Sequence, residues 1–299
     1  MKIVSASRRT DIPAFYAPWL MNRIRAGFCV YPNPFFPQKH YRVSLRSEDV
    51  LGFVFWTRHA APLMPRLPEL DRAGFPYYFQ YTVVGYPRTV DARCPPPAAA
   101  ARTFCALSRQ IGADRVIWRY DPILLTRELT NTWHRDHFRR LADALAPATR
   151  RLVVSVVDPY AKTRRRVGTT EDGVSYGIEA YGELLQWIAA EGAARGLRVQ
   201  SCAEPLLRVP GIEPGRCVDG SLLCSLSGRT PAPKFPLHRQ REGCLCHRSV
   251  DIGANDSCGF GCRYCYATAS HERARETLRR HRPEWTCLTG DVRVPEPTA

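Results

Sequence analysis

Short apolar runs alternate with longer stretches of helical period along most of the chain. The runs at Ile3–Ser7, Val54–Thr57, Tyr77–Val83, Val116–Trp118, Leu152–Val157 and Leu197–Ser201 are short and rich in β-branched and aromatic residues, which predicts strands. Between them, apolar residues recur at helical spacing near Ala14–Arg25, Ala61–Asp71, Ala98–Ile111, Trp133–Leu145 and Gly177–Glu191. Pro13 suits a first helical turn, and Gly27 and Gly112 suit helix ends. Repeated strand–helix units call for a parallel sheet with helices packed outside it, either doubly wound or a barrel. The stretch Cys29–Ser47, with Pro32, Pro34 and Pro37, breaks the rhythm and reads as an inserted hairpin or loop. Cys94, followed by three prolines and a run of alanines, reads as a surface connection entering a helix.

Polar residues follow each predicted strand. The first is followed by Arg8, Arg9, Thr10 and Asp11, the second by Arg58; Arg119 and Asp121 follow the fourth, Asp158 the fifth, and Cys202 and Glu204 the sixth. In open α/β sheets and barrels the site is assembled at the carboxyl ends of the strands. Arginines and carboxylates on consecutive strand ends would therefore converge on one polar mouth.

Composition narrows the class. A chain of 299 residues with 44% hydrophobic content can bury a full core. It contains no run of eighteen apolar residues, and its first residues lack the apolar stretch of a secretory signal, so the expectation is a cytoplasmic protein with no membrane span. Twelve cysteines in such a chain argue for metal or redox chemistry over a disulfide framework. The net charge of +15 suits a polyanion such as nucleic acid, but lysine occurs only at Lys2, Lys39, Lys162 and Lys234, so an arginine-rich coding bias accounts for it equally well.

The cysteines concentrate near the C-terminus. Cys258, Cys262 and Cys265 form a C-x3-C-x2-C run with Gly259 and Gly261 in its first interval. Glycine lets backbone wrap closely around a cluster corner. Iron–sulfur cubes normally take four thiolates, so three local ligands leave one iron open for a small molecule. Ser249–Asn255 reads as a short strand delivering the chain to this loop, and a helix at Ala267–Arg280 follows. Cys202, Cys217, Cys244 and Cys246 form a second possible ligand set, for an auxiliary iron–sulfur cluster or a structural zinc, with small buried cysteines as the plain alternative. Cys29, Cys94, Cys105, Cys224 and Cys287 read as ordinary packing or surface residues, His247 as a solvent-facing residue with a ligand beside Cys246 as the alternative, and His134 and His137 as structural.

The run Cys258-x3-Cys262-x-Tyr264-Cys265 resembles the C-x3-C-x-aromatic-C signature of radical S-adenosylmethionine enzymes. The wider chain resembles the DUF1848 proteins in Ser5 to Pro13, Phe55 to Thr57, Trp118 to Pro122, Cys202 to Glu204, Asp251 to Gly253 and the cysteine loop with Tyr266-Ala267. The resemblance implies that Cys258, Cys262 and Cys265 bind a [4Fe–4S] cluster whose open iron chelates S-adenosylmethionine. It implies cleavage of that cofactor to a 5′-deoxyadenosyl radical, with a flavodoxin- or ferredoxin-type reductant. Tyr264, with Arg8, Arg9 and Asp11, would bind the cofactor. No Gly-Gly-Glu stretch is present, and Arg119, Asp121 and Glu204 are the substitutes expected in the site. The implied fold is a partial or permuted TIM-like (β/α) barrel, with the last strand beside the first. Residues 1–205 would form the barrel core, 206–282 a cysteine-rich segment completing it, and 283–299 a tail. The competing functions are a nucleic-acid-binding repair or modification protein, and a non-catalytic zinc or iron–sulfur module.

Overall fold

The computed structural model describes residues 1–203, 209–229, 234–238 and 242–295. The chain opens with β1 (Lys2–Ala6), a helical turn α1 (Ile12–Phe15) and helix α2 (Ala17–Arg25). The continuous helix expected over Ala14–Arg25 is interrupted at Tyr16, whose φ of −131° is not helical. Its backbone N–H still bonds Ile12 O, and Pro18, which donates no N–H, sits in the first turn of α2. The proline-rich insertion is an antiparallel hairpin of β2 (Phe28–Pro32) and β3 (His40–Ser44).

Strand–helix units then follow: β4 (Val50–Thr57), α3 (Leu67–Arg72), β5 (Tyr77–Thr82), α4 (Pro97–Ile111), β6 (Val116–Ile123), α5 (Asn131–Leu145), β7 (Arg151–Val156), α6 (Ala161–Val167), α7 (Gly182–Ala194) and β8 (Arg198–Ser201). The remaining elements are β9 (Glu213–Pro214), α8 (Gly220–Leu226), β10 (Ser249–Asp251) and α9 (His271–Arg280). Eight strands form one sheet in the order β10-β1-β4-β5-β6-β7-β8-β9, with every neighbouring pair parallel. β10 and β9 are the two edges, so the fold is a mixed α/β structure on a large parallel sheet.

The period of two along each strand separates two interiors. Phe53, Phe55, Tyr77, Phe79, Tyr81, Trp118 and Tyr120 face helices α1–α5 and α7 in the larger core. Ile3, Val54, Tyr78, Ile117 and Val153 point the other way, against Val218, Leu222 and Leu223 of the segment after β8. Towards the carboxyl ends of the strands this second face becomes polar, with Ser5, Gln80 and Arg119 all buried.

β10 lies beside β1 in register Ile3↔Ser249 to Ser5↔Asp251, so the last strand does neighbour the first. Residues 283–288 are packed onto α2: Trp19 Nε1 donates to Trp285 O at 2.9 Å, Asn22 Nδ2 to Pro283 O at 3.0 Å, and Cys287 and Leu288 are fully buried. Among the described residues no helix is long and apolar enough to cross a membrane.

Candidate functional site

The cysteine loop leaves β10 at the carboxyl end of the sheet and is stitched to two neighbours. Gly253 passes so close to β1 that a Cβ there would sit 2.0 Å from Ser7 Oγ. Tyr16 Oη donates to Ser257 O, 2.5 Å, and Phe15 packs on Phe260 with ring centroids 4.7 Å apart. On the other side, Arg93 N–H donates to Phe260 O and Arg263 N–H to Val90 O, both 3.0 Å, around an Asp91–Cys262 bridge. Asp256 closes the loop by accepting from the N–H groups of Ala269 and Ser270 ahead of α9.

The sulfurs sit in environments suited to thiolate ligation. Backbone N–H groups of Phe260 and Asp11 point at Cys258 Sγ, and the Thr268 hydroxyl lies 3.4 Å from Cys265 Sγ. Hydrogen bonds to ligand sulfurs are one of the means by which a protein tunes an iron–sulfur cluster. Burial pushes the Cys258 thiol well up, so an ionised Cys258 calls for a compensating cation. These donors and this burial fit a thiolate-bound cluster.

Asp11 does not point freely into the mouth. Its carboxylate accepts from Thr57 Oγ1 at 2.8 Å, Arg58 N at 2.6 Å and Ala14 N at 2.9 Å, so it caps α1 and fixes the end of β4. Burial raises it to about 7 against the lowering effect of those three donors and the Arg58 charge. Tyr264 Oη donates to Asp91 Oδ1 at 2.9 Å and meets the Arg58 guanidinium, and its ring stands edge-on to Tyr86.

A residue read from sequence as part of a surface connection proves central. Cys94 is only 7% exposed, with its sulfur 3.7 Å from Cys262 Sγ. Arg58 Nη1 donates to Asp91 Oδ2 at 2.7 Å and to Cys94 Sγ at 3.2 Å. Among the described residues, Asp91, Cys94 and Cys262 are the group whose ligand atoms all lie within 4.8 Å of one another. Arg58 was visible as a strand-end arginine, but no local spacing links Asp91 or Cys94 to a loop more than 160 residues away.

At the junction of β1 and β10, Asp251 gathers Ser5 Oγ (2.9 Å), Ser7 Oγ (2.5 Å), Arg8 N (2.9 Å) and the guanidiniums of Arg8 and Arg9 (3.3 and 3.2 Å). Burial alone would raise its pKa, but Arg9 and Arg8, with Ser7, bring it down to about 2. Arg8 and Arg9 thus sit beside the loop sharing one buried acid, so one of their two charges remains unanswered by it. Tyr266 Oη donates to Arg8 O at 3.0 Å.

Arg119 and Asp121 are brought together, but next to the other cysteines. Arg119 Nη2 lies 2.7 Å from Asp121 Oδ2, while its Nη1 reaches Gln80 Oε1 at 3.3 Å and Cys217 Sγ at 2.9 Å. Its guanidinium carbon stands 5.1 Å from the Trp56 ring centre, and Trp56 Nε1 donates to Ser5 Oγ at 3.1 Å. A polar chain therefore runs from Asp121 across the sheet to Asp251. Glu204, the third expected substitute, lies outside the described residues. His247, expected to face solvent, is instead buried: it stacks on Phe235, and its Nδ1 accepts from Gly220 N at 2.9 Å. That acceptor caps the approach to α8, which is why the ring is drawn inward.

No curated protein and no solved structure shows a significant match to the chain. A family described as a domain of unknown function, DUF1848, matches residues 3–267, a span running from β1 through the cysteine loop. That span includes the β1–β10 junction, the Arg58–Asp91 pair and all three loop cysteines, and the chain belongs to the DUF1848 family.

Proposed function

We propose that the chain is a radical S-adenosylmethionine enzyme in which Cys258, Cys262 and Cys265 hold a [4Fe–4S] cluster at the mouth of a partial, permuted (β/α) barrel. One observation carries the reading: the three-cysteine loop emerges from the strand paired in parallel with β1, at the sheet end where α/β enzymes build their sites. When bound, the cluster and S-adenosylmethionine would supply a radical that abstracts hydrogen from a substrate. The chain's own residues ligate, orient and exclude water. Phe260 and Asp11 N–H groups stabilise ionised Cys258, Thr268 faces Cys265, and Tyr16 and Phe15 wall the loop from solvent. Arg8 and Arg9, held by Asp251, are placed to orient an anionic group through their remaining N–H donors.

A non-catalytic zinc module has one observation in its favour, the Cys94–Cys262 separation of 3.7 Å. Two thiolates on a tetrahedral zinc with bonds of about 2.3 Å lie roughly 3.8 Å apart. The group of Asp91, Cys94 and Cys262 offers three donors, one short of the four of a structural zinc, which favours the cluster reading.

The test is anaerobic reconstitution with iron and sulfide, then reduction in the presence of S-adenosylmethionine. The expected result is an iron- and sulfide-containing protein that forms 5′-deoxyadenosine, with both properties lost in Cys258→Ala, Cys262→Ala and Cys265→Ala. A confirmed reduced cluster that leaves S-adenosylmethionine intact would sink the proposal.

A further inference from the structure

A second cluster of thiols lies outside the loop. Cys217 Sγ is 3.0 Å from Cys202 Sγ, and Cys217 also meets Cys246, which in turn meets Cys244, so the four thiols form a chain of neighbours. These four cysteines come from three separate segments: the end of β8, the turn between β9 and α8, and the stretch ahead of β10. Cys217, Cys244 and Cys246 are each under 5% exposed, and Cys202 packs against the same core.

The groups around them are arranged for thiolates. The Arg119 guanidinium, 4% exposed, aims Nη1 at Cys217 Sγ from 2.9 Å. A neutral thiol is a weak acceptor and a poor match for a buried cation, whereas a metal-bound thiolate is a strong one. Val218 N–H donates to Cys246 Sγ at 3.4 Å, as backbone amides do to ligand sulfurs. An outer layer fixes the loops: Tyr78 Oη and Gln80 Nε2 both donate to Cys217 O, at 2.7 and 2.9 Å, and His238 N–H donates to Cys246 O at 2.9 Å. Supports of this kind orient ligands and set metal affinity.

Charge gives an independent check. Four thiolates around a divalent ion, or around a cube of charge +2, leave a net charge of −2. Two guanidiniums face the group, Arg119 at Cys217 and Arg8 within electrostatic range of Cys246. With all four sulfurs protonated, Arg119, Arg8 and Arg9 have only Asp121 and Asp251 to answer them, which leaves one guanidinium charge over. A soft, thiophilic metal is the ligand that this donor set selects.

We infer that Cys202, Cys217, Cys244 and Cys246 hold a second, four-thiolate metal centre, facing Arg119 and Arg8 on the side of the mouth away from the cysteine loop. Binding would release the thiol protons to solvent and tie three segments of the chain to one point. No three of these sulfurs lie within 4.8 Å of one another, a spread that an iron–sulfur cluster spans and that a single zinc would have to draw in; metal analysis separates the two. Because all four ligands are protein thiolates, this centre leaves no open position for a substrate. Its role would be to anchor the wall of the mouth or to pass electrons across it.

The experiment uses the full-length Cys258→Ala/Cys262→Ala/Cys265→Ala protein, purified anaerobically, so that the outcome is independent of the reading given to the loop. Zinc, iron and acid-labile sulfide are measured, and X-ray absorption at the metal edge reports the ligands. The expected result is one metal centre per chain with an all-sulfur shell: zinc without sulfide, or iron with matching sulfide. Adding Cys244→Ala/Cys246→Ala should remove that metal. A variant with native circular dichroism that holds neither metal stoichiometrically overturns the inference. So does a metal with nitrogen or oxygen ligands, or one that stays after the Cys244 and Cys246 changes.

Discussion

The sulfurs of Cys94 and Cys262 lie 3.7 Å apart although 168 residues separate them along the chain. The hydrogen bond from Cys262 and the nearby Arg58 charge hold the Cys94 thiol below its ordinary value, while the same hydrogen bond and burial hold Cys262 well above. Cys94 is thus the more readily ionised partner and a potential competitor for iron. With three loop thiolates as the ligands, Cys94→Ala should keep its iron and sulfide and still cleave S-adenosylmethionine, whereas Cys262→Ala should lose both. Loss of iron from Cys94→Ala would make it a fourth ligand and leave no open iron.

Arg58 and Asp91 form a buried pair, their side chains 12% and 3% exposed. Removing one member strands the other's charge. Arg58→Met should therefore cost roughly 3–5 kcal/mol of unfolding free energy. Arg58→Met/Asp91→Leu should cost much less, since neither charge remains to be desolvated. Urea denaturation of both variants checks this, and equal losses would show that the pair is not coupled.

Asp251 links stability to acid. Its pKa of about 2 lies below the ordinary 3.8, so its stabilising contribution is complete above pH 3.8 and is lost as pH falls through 2. The amount at stake is roughly 2 kcal/mol. Asp251→Asn should be destabilised at pH 7, and its deficit should shrink in that acid window. A deficit that stays constant down to pH 2 would contradict the assignment.

His134 acts in a milder range. Nε2 lies 3.0 Å from Leu124 O, which can only accept, so Nε2 carries the proton and Nδ1 accepts from Tyr120 Oη at 2.7 Å. Burial lowers its pKa to about 4, partly opposed by the Leu124 carbonyl. The unfolded chain takes up this proton first as pH falls below 6.5, so the His134 contribution alone should fall by roughly 3 kcal/mol between pH 6.5 and 4, against the opposite contribution of the raised Asp11. Measured by denaturation, the stability of the parent relative to His134→Gln should fall by about that amount from pH 6.5 to pH 4, and a difference that does not change with pH would contradict the assignment.

Gly253→Ala tests the close approach of the loop to β1. An added Cβ would meet Ser7 Oγ at 2.0 Å and Ser7 Cβ at 2.6 Å. Because Ser7 is itself held by Asp251, relief would have to come from moving the backbone. A loss of about 1–3 kcal/mol is expected, together with weaker iron retention. An unchanged melting temperature would show that the approach is looser than the structure has it.

Period and turn chemistry were enough to read the parallel sheet. Runs such as Tyr77–Thr82 and Arg151–Val156 are short, apolar and bounded, and each is followed by a helical stretch. β6 extends to Ile123, five residues past the predicted end, because Arg119 and Asp121 look like loop residues until their buried partners are seen. The loop cysteines were readable because their spacing is local. Asp91 and Cys94 were harder, since their relationship to the loop is made by the sheet and carries no signature along the chain, whereas Cys202, Cys217, Cys244 and Cys246 could be named as one possible set. The strand-end polar residues divide between two neighbourhoods, Arg58 and Asp11 by the loop and Arg119 and Asp121 by Cys217.

The pairing of β10 with β1 has a consequence for when the protein can function. Ser5 and Asp251, which this pairing brings to 2.9 Å, are 246 residues apart. Contacts of such separation form late, after the loop-closure entropy of the intervening chain has been overcome. A growing polypeptide still on the ribosome exposes β1 long before β10, one of its two partners, has been made. The β1–β10 junction and the cysteine loop that leaves it can therefore be completed only after the whole intervening sheet has been synthesised.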